Sequence, residues 1–140
     1  MANICEFDMR IELTEDFDSE QLVEFVEFLS KNGAWIPVDM NAVIKDIEDE
    51  ALDIIYLYGQ CRWSVASSFG EVLKEYVQAA QINMELFSAE PGFKFAEHYR
   101  YDPTSGIWID ECTDYSLDIE DEDYIYCIWW NVDDWNWELI

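Results

Sequence analysis

The side chains able to do chemistry in this chain are few, and their spacing works against most of it. The one histidine, His98, follows Glu97 directly, so an acid/base pair is the first reaction type to test. Phe93 to Tyr101 reads as a strand, where neighbouring side chains point to opposite faces. His98 then shares a face with Lys94, Ala96 and Arg100, while Glu97 shares the other with Phe93, Phe95, Tyr99 and Tyr101. The two cannot converge on one atom. A single histidine also falls short of a two-histidine metal site or a 2-His-1-carboxylate triad. Glu97, set among aromatics, must find a donor such as Arg62 or a tyrosine hydroxyl, or else be neutralised through a raised pKa. A structural hydrogen bond is its expected role, and the Lys94–His98–Arg100 row is expected to neutralise the protein's own carboxylates.

Other chemistries fare no better. Cys5, Cys61, Cys112 and Cys127 are scattered without a C-x-x-C pair, which speaks against a zinc knuckle or a thioredoxin-type motif. Buried free thiols are expected at all four. No G-x-S-x-G, P-loop or G-x-G-x-x-G occurs. The carboxylate groups at Asp110 to Asp114 and Asp118 to Asp123 lack the turn glycine and the bidentate glutamate of an EF-hand loop. The chain therefore reads as a non-enzyme with no catalytic residue, no metal site and no cofactor.

What dominates instead is charge. The chain carries 32 Asp and Glu against 7 Lys and Arg, a formal charge of -25, and no lysine or arginine follows Arg100. Such an imbalance attracts cationic surfaces and repels anionic ones, nucleic acid included. It does not signal disorder, because the chain is 51% hydrophobic and 16% aromatic, whereas disordered chains are poor in both. With 140 residues, one domain with a single core is expected. Met1 to Arg10 contains Glu6 and Asp8, no stretch of about eighteen apolar residues is present, and a cytoplasmic protein without membrane contact is expected.

The periodicity places these residues on strands and helices. Cys5 to Leu13 alternates Phe7, Met9, Ile11 and Leu13 with charged residues, the signature of a half-buried strand. Asp18 is a plausible N-cap with Gln21 at the capping-box position, and Leu22, Phe25, Val26 and Leu29 mark a helix that Gly33 closes. Ala34 to Glu50 reads as an irregular connection with one short strand or turn of helix. Ile54 to Trp63 is a strand. Ser68 opens a capping box with Glu71, and Phe69, Val72, Leu73, Tyr76, Val77 and Ala80 form the buried stripe of a second helix. Strands follow at Ile82 to Phe87, Phe93 to Tyr101, Gly106 to Cys112 and Tyr124 to Trp130, with turns at Pro91-Gly92 and Pro103 to Gly106 making them antiparallel. The fold expected is α+β, ferredoxin-like β-α-β-β-α-β with extra C-terminal strands and both helices on one face. Its core should include Phe7, Ile11, Leu22, Phe25, Leu29, Ile55, Leu57, Val72, Tyr76 and Ile128.

The segment Cys61-Arg62-Trp63-Ser64, the helix beginning near Ser67-Ser68-Phe69, Ile82 to Phe87, and Glu90-Pro91-Gly92-Phe93-Lys94-Phe95-Ala96-Glu97-His98-Tyr99 together resemble the YubB ferredoxin-like domain of phage and plasmid proteins. The resemblance spans residues 61 to 101. It implies a fold and a mobile-element origin and brings no catalytic residues.

Carboxylate spacing suggests a function that needs none. Carboxylates at alternate strand positions lie about 6.6 Å apart and those at i, i+3 and i+4 of a helix about 5 to 6 Å apart, comparable to neighbouring phosphates on one DNA strand. Phosphate-like rows are expected from Glu20, Glu24 and Glu27, from Glu48, Asp49 and Glu50 with Asp46 and Asp53 beside them, and from Asp110, Glu111, Asp114, Asp118, Glu120, Asp121, Glu122 and Asp123. Asp133 and Asp134 accompany Trp135 and Trp137, flat anchors of the kind enriched at interface hot spots and able to stack on guanidinium groups. Trp129 and Trp130 fall in the last expected strand and read equally as core. The expected function is that of a phage- or plasmid-encoded DNA mimic, an anti-CRISPR-like inhibitor occupying the basic site of a nucleic-acid-binding protein such as a CRISPR effector or a restriction enzyme in the host cytoplasm. The alternative is a non-catalytic oligomeric interaction or scaffold protein, with a homodimer as its simplest form, whose acidity serves solubility.

Overall fold

The computed structural model describes residues 4–32, 34–90 and 95–114. In chain order the elements are β1 (Ile4–Glu12), α1 (Ser19–Asn32), α2 (Met40–Glu48), β2 (Ile54–Arg62), a π-helical turn at Ala66–Gly70, α3 (Glu71–Ala80), β3 (Asn83–Glu90), β4 (Phe95–Asp102) and β5 (Ile107–Asp114). The strands form one antiparallel sheet in the order β2-β1-β3-β4-β5. An α+β fold with an antiparallel sheet is thus present, but the element order is β-α-α-β-α-β-β-β.

The difference from the expected order lies in residues 34 to 50, where a helix takes the place of an irregular connection. Asp39 caps α2, its carboxylate accepting from the backbone N–H groups of Asn41 and Ala42 at 3.1 and 3.3 Å, and Ile47 anchors the helix in the core. The extra helix has a topological consequence. One helix would return the chain to the start of β1 and make β2 parallel to it; a second returns it to the far end, so β2 runs antiparallel, with Ile4 opposite Arg62 and Glu12 opposite Ile54. β2 and β3 flank β1, both antiparallel to it. The α3 connection therefore joins two parallel strands across β1.

One face of the sheet meets the helices. Cys5, Phe7, Met9 and Ile11 of β1 alternate with half-buried Glu6, Asp8 and Arg10, as the sequence pattern requires. They pack with Ile55, Leu57, Met84 and Leu86 beneath Leu22, Phe25, Val26 and Leu29 of α1 and Leu73, Val77 and Ala80 of α3. Burying each of these large side chains stabilises the fold by about 1.5 to 3 kcal/mol. Phe25 stacks on Tyr76 at 5.6 Å and Phe7 meets Phe69 edge-on at 5.5 Å.

Two expectations about α3 need correction. Ser68 is not its N-cap: the Ser68 hydroxyl donates to the Arg62 carbonyl at 2.7 Å, and α3 begins beyond a kink at Phe69, whose φ and ψ are -151° and 15°. Phe69, Leu73, Val77 and Ala80 form the buried stripe, while Val72 and Tyr76 at its border are only half-buried, Tyr76 still packing against the core. The turn before β5 is as expected. Gly106 takes a φ of 71° and donates its N–H to the Asp102 carbonyl at 2.8 Å, a left-handed conformation that glycine adopts without the Cβ penalty. The Pro91-Gly92 turn, the Tyr124 to Trp130 strand and Ile128 lie outside the described residues.

Candidate functional site

β4 carries Glu97 on the helix face, opposite Ser88 of β3 and Cys112 of β5. Above it the chain leaves β2 through Trp63, which has a left-handed φ of 65°, and this bend aims the first amides of the π-helical turn down at the sheet. Glu97 is 2% exposed and is fully engaged. Its Oε1 accepts from the Val65 N–H and the Ser88 hydroxyl, both at 2.8 Å, and from the Cys5 thiol at 3.9 Å; its Oε2 accepts from the Ala66 N–H and the Tyr99 hydroxyl, both at 3.0 Å. Burial, and next the Glu97 charge, push the Tyr99 hydroxyl pKa well up, which keeps Tyr99 a donor. Among the described residues the donors include the expected tyrosine hydroxyl but not Arg62. With both oxygens taken, Glu97 pins the entry of α3 to the sheet.

A groove of about 600 Å³ opens beside this carboxylate, lined by Glu71, Lys74, Tyr99, Trp108 and Asp110 among others. Lys74 places its ammonium 5.9 Å from the Trp108 ring centroid, and the Trp108 indole N–H donates to Asp110 at 3.1 Å. Its lining is aromatic and acidic, the kind that accommodates a cationic side chain.

His98 lies on the opposite sheet face, away from Glu97. It stacks on Phe87 at 4.5 Å with an interplanar angle of 3° and meets Glu85 at 3.2 Å and Glu111 at 4.0 Å. It partners the protein's own carboxylates, as expected. On the same face Asp8 sits opposite Tyr58 and Phe87, where burial, and next the neighbouring Glu6, lift its pKa from 3.8 to about 6.

The acidic rows divide among separate elements. Glu20, Glu24 and Glu27 are all exposed on α1, and Glu48, Asp49 and Glu50 are exposed at and just beyond the end of α2; the two helices pack as neighbours. Asp110 and Glu111 are exposed on β5, an edge strand. Asp110 opposes Tyr99 and Glu111 opposes His98, so they point to opposite faces. Asp114 closes β5. Among the described residues the ion pairs are Arg10 with Glu12, and His98 with Glu85 and Glu111; the helical rows form none. Asp118, Glu120, Asp121, Glu122, Asp123, Asp133, Asp134, Trp135 and Trp137 lie outside the described residues, as do Trp129, Trp130 and Cys127.

Two features were missed in the sequence. Ile54, Tyr56 and Tyr58 expose their side chains along edge strand β2, near Trp35, which is 73% exposed. The signal was there: Ile54 to Leu57 is apolar at every position, so both faces of that strand are apolar. Trp35 bridges this edge, donating its N–H to the Gln60 carbonyl at 2.7 Å and accepting from the Gln60 N–H at 2.9 Å. Cys112, expected to be buried, is exposed because β5 has no neighbour beyond it in the described sheet.

No helix among the described residues is long and apolar enough to cross a membrane, and no cluster of three or more potential metal ligands occurs among them. No protein-family profile, curated protein or solved structure matches the chain.

Proposed function

We propose that the protein acts by binding, as a DNA mimic that occupies the basic nucleic-acid site of a partner such as a CRISPR effector or a restriction enzyme. The observation that carries this reading is the exposed row Glu20, Glu24 and Glu27 on α1, with Glu48, Asp49 and Glu50 at and just beyond the end of the neighbouring α2, none of them in an ion pair among the described residues. Like charges at i, i+4 destabilise a helix by about 0.2 to 0.5 kcal/mol per pair. Lys31 lies one turn from Glu27 and Lys45 one turn from Glu48 and Asp49, yet among the described residues neither forms an ion pair with them. A basic partner gains by neutralising such a row in place of phosphates. The same reading takes the β2-α3-β3 unit, with β1 between its strands, as the ferredoxin-like part of the fold and the chain as a product of a phage or plasmid. Its test is capture of a basic nucleic-acid-binding protein from a host lysate, followed by loss of that protein's DNA binding on addition of this chain.

One observation favours the scaffold reading as a second possibility. Ile54, Tyr56 and Tyr58 give edge strand β2 an apolar, exposed flank, and an uncovered apolar edge is a template for pairing with a second copy. Sedimentation at physiological salt separates the two readings: a monomer removes the scaffold reading.

A further inference from the structure

Cys5 and Cys61 stand directly opposite each other on β1 and β2, on the helix face. Residues so paired have Cα atoms about 4.5 to 5.5 Å apart, inside the roughly 4.4 to 6.8 Å that a disulfide spans. Both are free thiols, and the Cys5 thiol also donates to the Glu97 carboxylate at 3.9 Å. Their mutual interaction pushes the Cys5 pKa up, with burial adding to the effect, and draws the Cys61 pKa down, with Ser68 assisting against burial and the Glu97 charge. Cys61 is thus the thiolate-forming member and Cys5 the proton holder.

Their surroundings differ in access. Cys5 is wholly buried, whereas Cys61, 5% exposed, lies at the wall of a cavity of about 530 Å³. The described residues lining that cavity include Lys31, Trp35, Arg62 and Ser68 and no carboxylate. In a chain of charge -25, a cavity whose described lining holds two cations and no carboxylate is a local inversion of sign on the open side of the pair, suited to an anionic reagent, although the Glu97 charge acts against both thiolates.

We propose that Cys61 and Cys5 form a redox-active thiol pair, which anionic low-molecular-weight disulfides of the glutathione class convert, through an adduct on Cys61, to a cross-strand disulfide. The Cys61 thiolate attacks one sulfur of the reagent, the reagent's S–S bond breaks, and one glutathione leaves with the proton shed by Cys61. The Cys5 sulfur then attacks Cys61, expelling the second glutathione, which takes the Cys5 proton. Two protein thiols are oxidised and one disulfide is reduced to two thiols. This pair is independent of the acidic rows.

The test uses the full chain with Cys112→Ser and Cys127→Ser, so that only this pair can react. Under oxidised glutathione, intact-mass analysis should show loss of two hydrogens and peptide mapping a Cys5–Cys61 link. Adding Cys5→Ser should instead trap one glutathione on Cys61, and adding Cys61→Ser should prevent any adduct, with circular dichroism confirming that each variant is folded. The rate should fall roughly threefold from low to physiological salt, because the cavity rather than the net charge governs approach, while a neutral hydroxyethyl disulfide should show no such fall. Two free thiols at full oxidation in the parent chain, or an adduct on Cys5 in place of Cys61, would overturn the pair. A glutathione rate that rises with salt would overturn the cationic cavity as its entry.

Discussion

Replacing Glu97 gives a stability loss whose size follows from counting donors. In Glu97→Gln the amide oxygen keeps two partners, and the new NH2 group faces the other two. The Ser88 and Tyr99 hydroxyls can rotate to accept from it; the N–H of Val65 or Ala66 cannot. If the amide oxygen keeps Val65 and Ser88, the half-orphaned group is the Ala66 N–H, which lies at the edge of the groove and is part-buried. One such donor costs about 1 kcal/mol, and loss of charge assistance on the retained bonds adds about another 1 kcal/mol, giving roughly 2 to 3 kcal/mol. Glu97→Ala strands all four N–H and O–H donors, the fully buried Val65 N–H and Ser88 hydroxyl among them, and removes the long Cys5 thiol contact as well; it should cost about 4 to 6 kcal/mol. Urea denaturation followed by tryptophan fluorescence reads both values, provided the slope with urea is unchanged. A Glu97→Gln variant within 0.5 kcal/mol of the parent, or a Glu97→Ala variant no worse than Glu97→Gln, would refute the claim that these four bonds pin α3 to the sheet.

Three further outcomes follow from particular residues. The folded pKa of Asp8, about 6, lies above 3.8, so the folded state holds the extra proton between those values and stability is lost as pH rises through about 6; Asp8→Asn should stabilise the protein by about 1 to 2 kcal/mol at pH 7, after discounting for solvent screening, and hardly at all below pH 4, read from urea melts across that pH range. Gly59→Ala would set a Cβ onto the Trp35 carbonyl oxygen and within 3.2 Å of the Ile36 side chain; it should break the Trp35–Gln60 bridge, destabilise by about 2 to 3 kcal/mol, and deprotect the Gln60 amide in hydrogen exchange. Reversing Glu20, Glu24 and Glu27 together to lysine should leave the melting transition within a few degrees of the parent while lowering the slope of log affinity against log salt for the captured partner by about 3; an unchanged slope would place the interface elsewhere.

How much of this was legible in the sequence depended on regularity. β1 and α1 were readable to within a residue or two because Phe7, Met9 and Ile11 keep a strict alternation and Asp18 does cap α1, accepting from the Gln21 N–H at 3.2 Å. α2 was not read, although the signal was present: Met40, Val43, Ile44 and Ile47 recur at helical spacing behind the Asp39 cap, in an element of only nine residues. The kink before α3 was hidden as well, because the Phe69 conformation is a backbone event with no residue-type signature. For Glu97 the face and the tyrosine donor could be read from the alternation. The two amides, 31 and 32 residues away, could not, because any residue supplies a backbone N–H. The exposed acids of α1 followed from their place opposite its apolar stripe, whereas Glu48, Asp49 and Glu50 were read as part of a connection and owe their place to α2. Cys112 went wrong because exposure on an edge strand depends on sheet order, which local pattern does not contain.

The measurement that tests the mimic most directly is competition on the partner itself. A labelled DNA duplex bound to the captured nucleic-acid-binding protein, followed by fluorescence anisotropy while this chain is titrated in, reports whether the two ligands share one site. Mimicry requires the duplex to be released fully at saturation, with an apparent affinity for this chain that weakens steeply as salt rises from about 50 to 200 mM. Full retention of DNA binding and cleavage at saturating protein, or complex formation indifferent to salt, would contradict it.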